Sequence, residues 1–438
     1  MISQRTREAG FMVAPALAGV VGIGAVAAAR ADTLDLSPLP GAVAVLAVFL
    51  AMHFALRIRA PYADPYVLPL VGLLTAIGLV ELNRISPQYA LDQVIWVGVG
   101  GAVFLGVLAF LPDHRVLERY RYIIGLTAIG LLVVTMAVGT SINGSKLWIR
   151  VGGGQTIQLG ELAKVLIVIF LAGYLRDRRE LLAIPTERRF GVPLPPMRHL
   201  APVIAFVAAA LAVVAVLNDF GTALLFVGVF LAMLYLATGR VAYPAIGLGF
   251  FAVGSVLVYL AVPRIHERIT GWVNPFGHAQ TEGYQLVQSL QALGDGGLFG
   301  RGLGQGFLLT TDGRTVIPEL RTDFIFSAVA HELGYVGAVG VLILFLLLAS
   351  RGIAIASQAN DGFSKLLAGG LTAVLALQAF LIVAGIVRLV PLTGVTLPFM
   401  SYGGSSVVTN FGLIALLLVV SNRANAPARP PEPVEDEA

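Results

Sequence analysis

The chain has 438 residues, of which 57% are hydrophobic and 12% are charged, and its mean hydropathy is +0.85. This balance is far more apolar than that of soluble domains, so the composition excludes a water-soluble enzyme or binding module. The chain contains no cysteine, which excludes disulfides, thiolate metal sites and a cysteine nucleophile. The formal net charge of +4 says little by itself, because orientation in a membrane depends on how charge is distributed among the loops.

Apolar runs recur along the whole chain, and each is long enough to cross a hydrocarbon core of about 30 Å. The sequence therefore predicts an all-α polytopic membrane protein with about twelve transmembrane helices and one long outward loop between spans 9 and 10. The predicted spans are 11–29, 41–56, 66–80, 91–110, 121–138, 161–175, 199–216, 221–238, 245–262, 324–349, 366–388 and 405–420.

The positions of Lys and Arg predict the orientation. With the N-terminus inside, 18 of these residues fall in inner segments, 6 in short outer connections and 5 in the long loop 263–323. Cytoplasmic loops carry the excess of Lys and Arg, so we expect both termini to be cytoplasmic and the long loop to lie outside. The basic inner loop 176–200 is expected to contact anionic membrane lipids. The Pro- and Ala-rich segment 421–438 is predicted to be a disordered cytoplasmic tail.

Two features stand out within the outward loop. Apolar residues recur at helical spacing from Tyr284 to Leu293, which predicts a short interfacial helix over 283–293. The following glycine-rich bend, 294–306, has no GK[ST] ending and follows no predicted strand, so it is not a nucleotide-binding loop. Its glycines are interpreted as residues that let the chain turn.

Polar side chains within or beside the spans gather at the outer ends of the helices. Such groups are costly in hydrocarbon and usually face an interior or a cavity. Glu161 and Lys164 stand three residues apart on one helix, so they share a face and can pair. Asp323 is predicted to cap a helix that starts at Phe324. The remaining polar residues are Asp219, His331, Glu332 and Arg388. Their shared location predicts a polar outer cavity, although each alone has the alternative of a structural pair or a helix cap.

Several segments, taken together and in order, resemble the SEDS family of bacterial cell-wall synthesis proteins, which includes RodA and FtsW. The segments are WIRVGGGQTIQLGELAK (148–164), NDFGTALLF (218–226), WVNPF (272–276), GYQLVQSLQAL (283–293), GLFGRGLGQG (297–306), IPELRTDFIFSAVAHELGYVG (317–337) and PLTGVTLPFMSYGGSS (391–406). The family usually has ten spans. The resemblance therefore implies a membrane core over 63–420 and an additional N-terminal transmembrane hairpin over 1–62, which favours RodA over FtsW.

The resemblance implies a peptidoglycan glycosyltransferase in the bacterial cell membrane, acting in cell-wall elongation and cell shape. It would polymerise the lipid-linked disaccharide-peptide lipid II: a sugar 4-hydroxyl attacks the anomeric carbon of the other chain and undecaprenyl diphosphate leaves. The implied partner is a class B penicillin-binding protein, a transpeptidase, and no nucleic-acid partner is expected. Such a reaction needs a general base for the hydroxyl and cationic groups for the diphosphate.

The polar residues supply candidates for these roles. The candidates for binding the diphosphate are Lys164, Arg264, Arg268 and Arg321. Glu161 is assigned to the substrate site together with Lys164. The candidates for orienting groups, or for ligands of a divalent cation such as Mg²⁺ or Mn²⁺, are Asp219, Asp323 and Glu332.

One departure from the family bears on catalysis. Family members place an essential aspartate five residues before the glycine of GYQ, where this chain has His278. The nearest carboxylate is Glu282, and QLGELAK lacks the proline usual in the family's QPxELxK. The catalytic candidates are therefore Glu282, from a displaced position, and His278, since an imidazole titrates near about pH 6.5. The alternative is a catalytically silent paralogue that keeps the fold as a scaffold for a transpeptidase.

Two further functions fit an outer polar cavity. A flippase for the lipid-linked precursor would use the same cavity and needs no base. A secondary transporter would be expected to show paired broken helices near the membrane midplane. The polar residues here cluster at the outer face, which disfavours the transporter.

Overall fold

The computed structural model describes residues 4–30, 38–142, 144–152, 155–183, 187–189, 192–194, 197–310 and 314–427. In these residues the chain forms sixteen α-helices. They are α1 Gln4–Phe11, α2 Val13–Arg30, α3 Leu39–Arg59, α4 Val67–Ile85, α5 Pro87–Phe110, α6 Val116–Arg119, α7 Arg121–Val138, α8 Leu159–Ala183, α9 Met197–Val216, α10 Phe220–Thr238, α11 Ala242–Ala261, α12 Pro263–Val273, α13 Tyr284–Gly296, α14 Ile325–Gln358, α15 Gly362–Ile386 and α16 Gly404–Asn425.

A helix lies at each of the twelve predicted spans, which confirms the polytopic helical fold. Among the described residues, ten helices are long and apolar enough to cross a membrane. Two predicted spans do not reach this threshold. Charged residues stand near both ends of α8 and shorten its apolar stretch, and the apolar part of α9 is Leu200–Val216.

Three helices form the centre of the bundle. Most side chains of α4, α15 and α16 are buried, whereas only 6% of the residues of α11 are buried. Glycine lets the central elements approach closely. A Cβ on Gly78 of α4 would lie 2.5 Å from the Cα of Met400, and one on Gly100 of α5 would lie 2.6 Å from the ring of Phe411.

The first 62 residues contain two candidate spans, Gln4–Ala29 and Leu39–Arg59. Buried polar contacts tie them to each other and to the residues that follow. Arg5 pairs with Glu8 and also donates to the carbonyl of Ala63. The Nδ1 of His53 lies 2.6 Å from Oε1 of the same Glu8. Leu303, far along the chain, packs on the apolar cluster that α2 and α3 form with Val80.

Short antiparallel strands, which the sequence pattern did not predict, lie outside the spans. Strands β1 Thr140–Ile142, β2 Ser145–Gly152 and β3 Gln155–Ile157 form one sheet, and β4 Glu187–Arg189 pairs with β5 Val192–Leu194 in the basic inner loop. Residues 145–152, SKLWIRVG, include Trp148, Ile149 and Val151, aromatic and β-branched residues that favour strands. The segment is too short and too polar to resemble an apolar membrane span.

The outward loop contains more helix than expected. The predicted short helix is confirmed as α13, which extends three residues beyond the predicted end, and α12 is an additional helix at the start of the loop. The prediction that Asp323 caps the next helix is wrong. Helix α14 begins at Ile325, with Phe324 at its N-cap and no side-chain cap.

Helix α16 continues to Asn425, so the predicted tail 421–438 starts within a helix, and residues 428–438 lie outside the described part of the chain.

Candidate functional site

A cavity of about 380 Å³ lies at the end of the bundle that carries the outward loop. It is lined by the start of α8, the β1–β2–β3 sheet, the turn between α9 and α10, one face of α12, the segment before α14, and residues 393–406. Its charged lining residues are Glu161, Asp219, Arg268, Glu319, Arg321 and Asp323. The predicted polar cavity therefore exists at this end of the bundle, and five of these six residues were candidates from the sequence.

A tight turn presents Asp323 to the cavity. Glu319 adopts a left-handed backbone conformation, with φ of 55°. Its carbonyl accepts hydrogen bonds from the backbone N–H groups of Thr322 (3.1 Å), Asp323 (3.0 Å) and Phe324 (3.3 Å). The bonds close the chain on itself, so the side chains of Glu319 and Asp323 face the same cavity.

The electrostatics of this turn favour a protonated carboxyl. Withdrawal from bulk water and then the neighbouring Glu319 carboxylate raise the pKa of Asp323 from 3.8 to about 7. A hydrogen bond from Thr322 and the positive charge of Arg268 act in the opposite direction. Asp323 is therefore a carboxylate that exchanges its proton near neutral pH.

Asp219 has a structural role, which the sequence left open as the alternative for each of the polar residues. Its Oδ1 accepts a hydrogen bond of 3.0 Å from the N–H of Thr222 and caps α10. The preceding residue, Asn218, has a φ of 57°, which aims the turn into the cavity. Withdrawal from water raises the pKa of Asp219, and the hydrogen bonds from Thr222 oppose that shift.

The guanidinium of Arg321 sits in an aromatic setting. Its Nη1 donates to the hydroxyl of Tyr89 at 2.6 Å, and its Cζ lies 4.4 Å from the centre of the same ring. The N–H of Tyr402 donates to the carbonyl of Arg321 at 2.8 Å, and the two tyrosine rings are 5.3 Å apart. These contacts hold Arg321 at the cavity wall through stacking and hydrogen bonding.

Lys164 does not reach the cavity, although it was a candidate for the diphosphate. Its side chain is 3% exposed. Its Nζ donates to Oε2 of Glu161 at 2.6 Å and to Oε1 of Gln378 at 2.8 Å. The predicted pairing with Glu161 is confirmed. Lys164 holds the carboxylate of Glu161, which lines the cavity, without lining the cavity itself.

Two other candidates lie away from the cavity. Glu332 is fully buried and pairs with Arg84 at 2.9 Å, because the α14 turn that carries it faces α4 rather than the cavity. Arg264 stands on the first turn of α12, and its side chain lies outside the described part of the structure.

The structure places the two catalytic candidates outside the cavity lining. His278 ends a short 3-10 helix, is partly exposed, and its Nδ1 lies 3.0 Å from the carbonyl of Asn274. Glu282 is fully exposed, and a hydrogen bond from Thr281 lowers its pKa. An ionised carboxylate in water is a weak base near neutral pH. A catalytic role for either residue stays a prediction.

Sequence reasoning missed Glu319 and the aromatic part of the lining. Glu319 belongs to the IPELRTD segment and stands four residues before Asp323, so its motif was recognised without its role. The aromatic lining residues are Trp96, Trp148, Phe220 and Tyr402. Trp148 lies on β2, which the apolar pattern did not reveal.

The described residues do not fit a divalent cation held by the protein alone. Within the part of the chain that the structure describes, no group of three or more His, Asp and Glu side chains is placed to hold a metal ion. Asp219 is committed to its cap and Glu332 to Arg84.

The chain is similar to known proteins in both sequence and structure. The FtsW/RodA/SpoVE profile, described as a cell cycle protein, matches residues 65–426. Peptidoglycan glycosyltransferase RodA of Mycobacterium tuberculosis (strain ATCC 25618 / H37Rv) is 40% identical over 399 residues, which covers 88% of this chain and 84% of that protein. Stage V sporulation protein E of Bacillus subtilis (strain 168) is 33% identical over 336 residues, covering 76% of this chain and 87% of that protein.

Solved structures share the fold. A chain from a study of the structural coordination of polymerization and crosslinking by a peptidoglycan synthase complex has a TM-score of 0.69 and is 25% identical, covering 83% of this chain and 98% of its own length. The rod shape determining protein RodA of Thermus thermophilus has a TM-score of 0.60 and is 25% identical, covering 84% of this chain and 98% of its own.

Proposed function

Because this chain belongs to the FtsW/RodA/SpoVE family, we propose that it is a peptidoglycan glycosyltransferase that polymerises lipid II for cell-wall elongation. The 4-hydroxyl oxygen of one sugar forms a bond to the anomeric carbon of the other chain. The bond from that carbon to the diphosphate breaks, and the hydroxyl proton passes to a base. The observation that carries the proposal is one cavity whose lining contains the Asp323 carboxyl group, with its pKa raised to about 7, and two guanidinium groups.

Asp323 is the base in this proposal. A general base is most effective when its pKa lies close to the operating pH, and the pKa of Asp323 is raised to about 7. Asp323 also lines the cavity, whereas Glu282 and His278 do not. In this chain Asp323 thus takes over the proton transfer that the family's aspartate performs from the position of His278.

Arg268 and Arg321 stabilise the leaving diphosphate. Guanidinium groups match phosphate oxygens in geometry and keep their charge at all relevant pH values. Both line the cavity with Asp323. The faces of Trp96 and Trp148 give the sugar rings an aromatic wall. Next to α12, the exposed apolar surface of α11 suits the polyprenyl tail.

A divalent cation has a limited place in this scheme. Mg²⁺ is commonly held by one or two carboxylates together with substrate phosphates rather than by a protein cage. A cation that takes part would enter with the diphosphate. Dependence of polymerisation on added Mg²⁺ or Mn²⁺, measured after chelation, tests this point, and full activity in chelator would exclude it.

The molecule acts as a multi-pass protein with both termini in the cytoplasm and the cavity outside. The excess of basic residues in the predicted inner segments supports this orientation. A class B transpeptidase is its partner, which the similarity to a chain of a polymerising and crosslinking complex supports.

The deciding experiment is polymerisation of lipid II by purified protein with and without a transpeptidase. We expect Asp323→Asn to lower the rate by about 10²-fold or more, the usual scale for loss of a general base. Glu282→Gln and His278→Ala serve as matched variants and are expected to change the rate less than about threefold. A large loss of polymerisation rate in either of these variants, together with a normal rate in Asp323→Asn, would show that the base lies in the outward loop. A wild type that makes no polymer beside an active control would favour the flippase or scaffold.

A further inference from the structure

Helix α14 is broken near its outer end. Gly334 has φ of 68° and ψ of −170°, which are not helical values. The break separates an outer segment, 325–333, from the long remainder of the helix. Backbone groups on either side of such a break lose their intrahelical partners and need others.

The glycine-rich loop, defined here as residues 297–307, supplies those partners. Four backbone hydrogen bonds join it to the break. They run from Arg301 N to His331 O (3.0 Å), from Gly302 N to Glu332 O (3.0 Å), from Tyr335 N to Gly297 O (2.9 Å) and from Val336 N to Leu298 O (3.2 Å). A Cβ on Gly300 would lie 2.1 Å from the Glu332 carbonyl oxygen, so the approach requires glycine.

Arg84 of α4 also binds at this point. Its contacts, together with those between the break and the glycine-rich loop, are called the locked junction. Its Nε donates to Oε1 of Glu332 at 2.9 Å, and its Nη2 donates to the carbonyl of Gly306 at 2.7 Å. The other oxygen of Glu332 accepts from the N–H of Gly304 at 2.8 Å. Arg84 is 7% exposed and Glu332 is fully buried, so this charge pair is shielded from water and salt.

The outer segment 325–333 directly follows the turn that holds Asp323, the proposed base. Asp323 stands two residues before Ile325, and the turn at Glu319 leads into the same segment. Because Gly334 breaks the helix, the long part of α14 does not fix the direction of 325–333. The loop and Arg84 do so instead.

We infer that Arg84 is a positioning residue for glycosyl transfer: through Glu332 and the glycine-rich loop it holds segment 325–333, and with it Asp323, in place. The catalytic half of this inference rests on the proposed function, whereas the locked junction does not. Arg84 lies outside the cavity lining, so its proposed role does not involve contact with the substrate.

The absence of cysteine makes a direct test practical. Spin labels are placed through Phe299→Cys on the loop, 78% exposed, and Phe110→Cys on α5, 87% exposed. We expect Arg84→Gln to broaden the distance distribution between the labels. In the unlabelled chain it lowers kcat by about tenfold to a hundredfold, the scale for a misplaced catalytic group, and leaves KM within about threefold. Arg84→Lys keeps a cation beside Glu332 and restores most of kcat.

Two further variants guard the test against misfolding. A Cβ on Gly306 would lie 2.6 Å from Cδ2 of His331 and 3.0 Å from Oε1 of Glu332, so Gly306→Ala displaces the loop without removing a charge. If Arg84→Gln does not accumulate in the membrane, the distance distribution of Gly306→Ala tests the locked junction instead. Glu81→Gln is the control: Glu81 lies one turn before Arg84, is buried, and interacts with Arg84 and Glu332 through its charge alone, since its oxygens have no hydrogen-bond partner. The substitution therefore leaves every hydrogen bond of the junction in place. It should keep the distances and the rate.

The outcomes separate the two halves of the inference. An unchanged distance distribution in both Arg84→Gln and Gly306→Ala overturns the locked junction. Broadened distances with a normal kcat overturn the positioning role. A full rate in Asp323→Asn, measured alongside, removes the base assignment of the proposed function and leaves the locked junction standing on the distance data.

Discussion

At the scale of single residues, the proposed base Asp323 and its neighbour Glu319 predict the pH dependence of the reaction. The pKa of Asp323 is about 7 because of its withdrawal from water and the adjacent Glu319 carboxylate. A base must be ionised to act, so kcat/KM should rise as the pH rises through about 7. By linkage, this group's contribution to folding stability is present at low pH and falls as the pH rises from 3.8 to about 7.

Replacing Glu319 tests this explanation for the raised pKa of Asp323. Glu319→Gln removes a negative charge from the vicinity of Asp323, so the pKa of Asp323 falls and the acid limb of the kcat/KM profile moves to lower pH. The limb should stay above the ordinary range because withdrawal from water, the larger cause, remains. Glu282→Gln, a fully exposed carboxylate, is the control and should leave the limb in place. A profile that is the same in all three proteins would mean that another group provides the base.

At the scale of elements, close backbone approach between α4 and segment 396–403 shapes one wall of the cavity. Phe399 has a φ of 64°, and Met400 follows it directly against Gly78. Gly78→Ala would put a Cβ 2.5 Å from the Cα and 2.6 Å from the carbonyl oxygen of Met400. Backbone cannot yield as a side-chain tip does, so we expect a loss of about 1–3 kcal/mol and a lower Tm in detergent thermal scans.

Gly98 on α5 provides the matched control for this substitution. A Cβ on Gly98 would meet nothing within 4 Å. Gly98→Ala should therefore leave Tm unchanged or slightly raised, since alanine favours a helix. Equal Tm values for Gly78→Ala and Gly98→Ala would show that segment 396–403 moves away freely and that the contact does not shape the wall.

At the scale of the whole molecule, the distribution of basic residues predicts the orientation. A reporter fused after Ile184 should be cytoplasmic, and one inserted near Asp312 should be external. Both insertion points lie outside the described residues, in segments between helices. Alkaline phosphatase and fluorescent-protein fusions read the two sides. Finding both reporters on one side would contradict the arrangement of spans.

Partnership is the second prediction at this scale. A single-span transpeptidase helix should pack on one exposed apolar helix face of this chain. Photoreactive residues placed at Leu126 of α7, Leu257 of α11 and Leu346 of α14, which are 74%, 62% and 69% exposed, sample three such faces. One of them should capture a class B transpeptidase in native membranes while the others capture lipid. Capture from none of the three would count against a stable complex through these faces.

The sequence by itself determined the features that depend on local chemistry. Hydropathy marked the helices because every apolar run must satisfy its backbone within itself to cross lipid. Spacing also marked α13 and the pairing of Glu161 with Lys164, since residues three or four apart share a helix face. The IPELRTD and LPFMSYGGSS segments carried the family resemblance. None of these required knowledge of which helices are neighbours.

Only the tertiary structure decided which polar groups meet. Arg84 and Glu332 are 248 residues apart in sequence, and their pairing removed Glu332 from the substrate candidates. Lys164 is withdrawn behind the cavity by Gln378, which is 214 residues away. Glu319 gained its role from a left-handed turn that no periodicity reports, and the outward placement of His278 and Glu282 depends on how their loop packs. Burial and charge at a site are properties of long-range neighbours, and a linear pattern contains only the near ones.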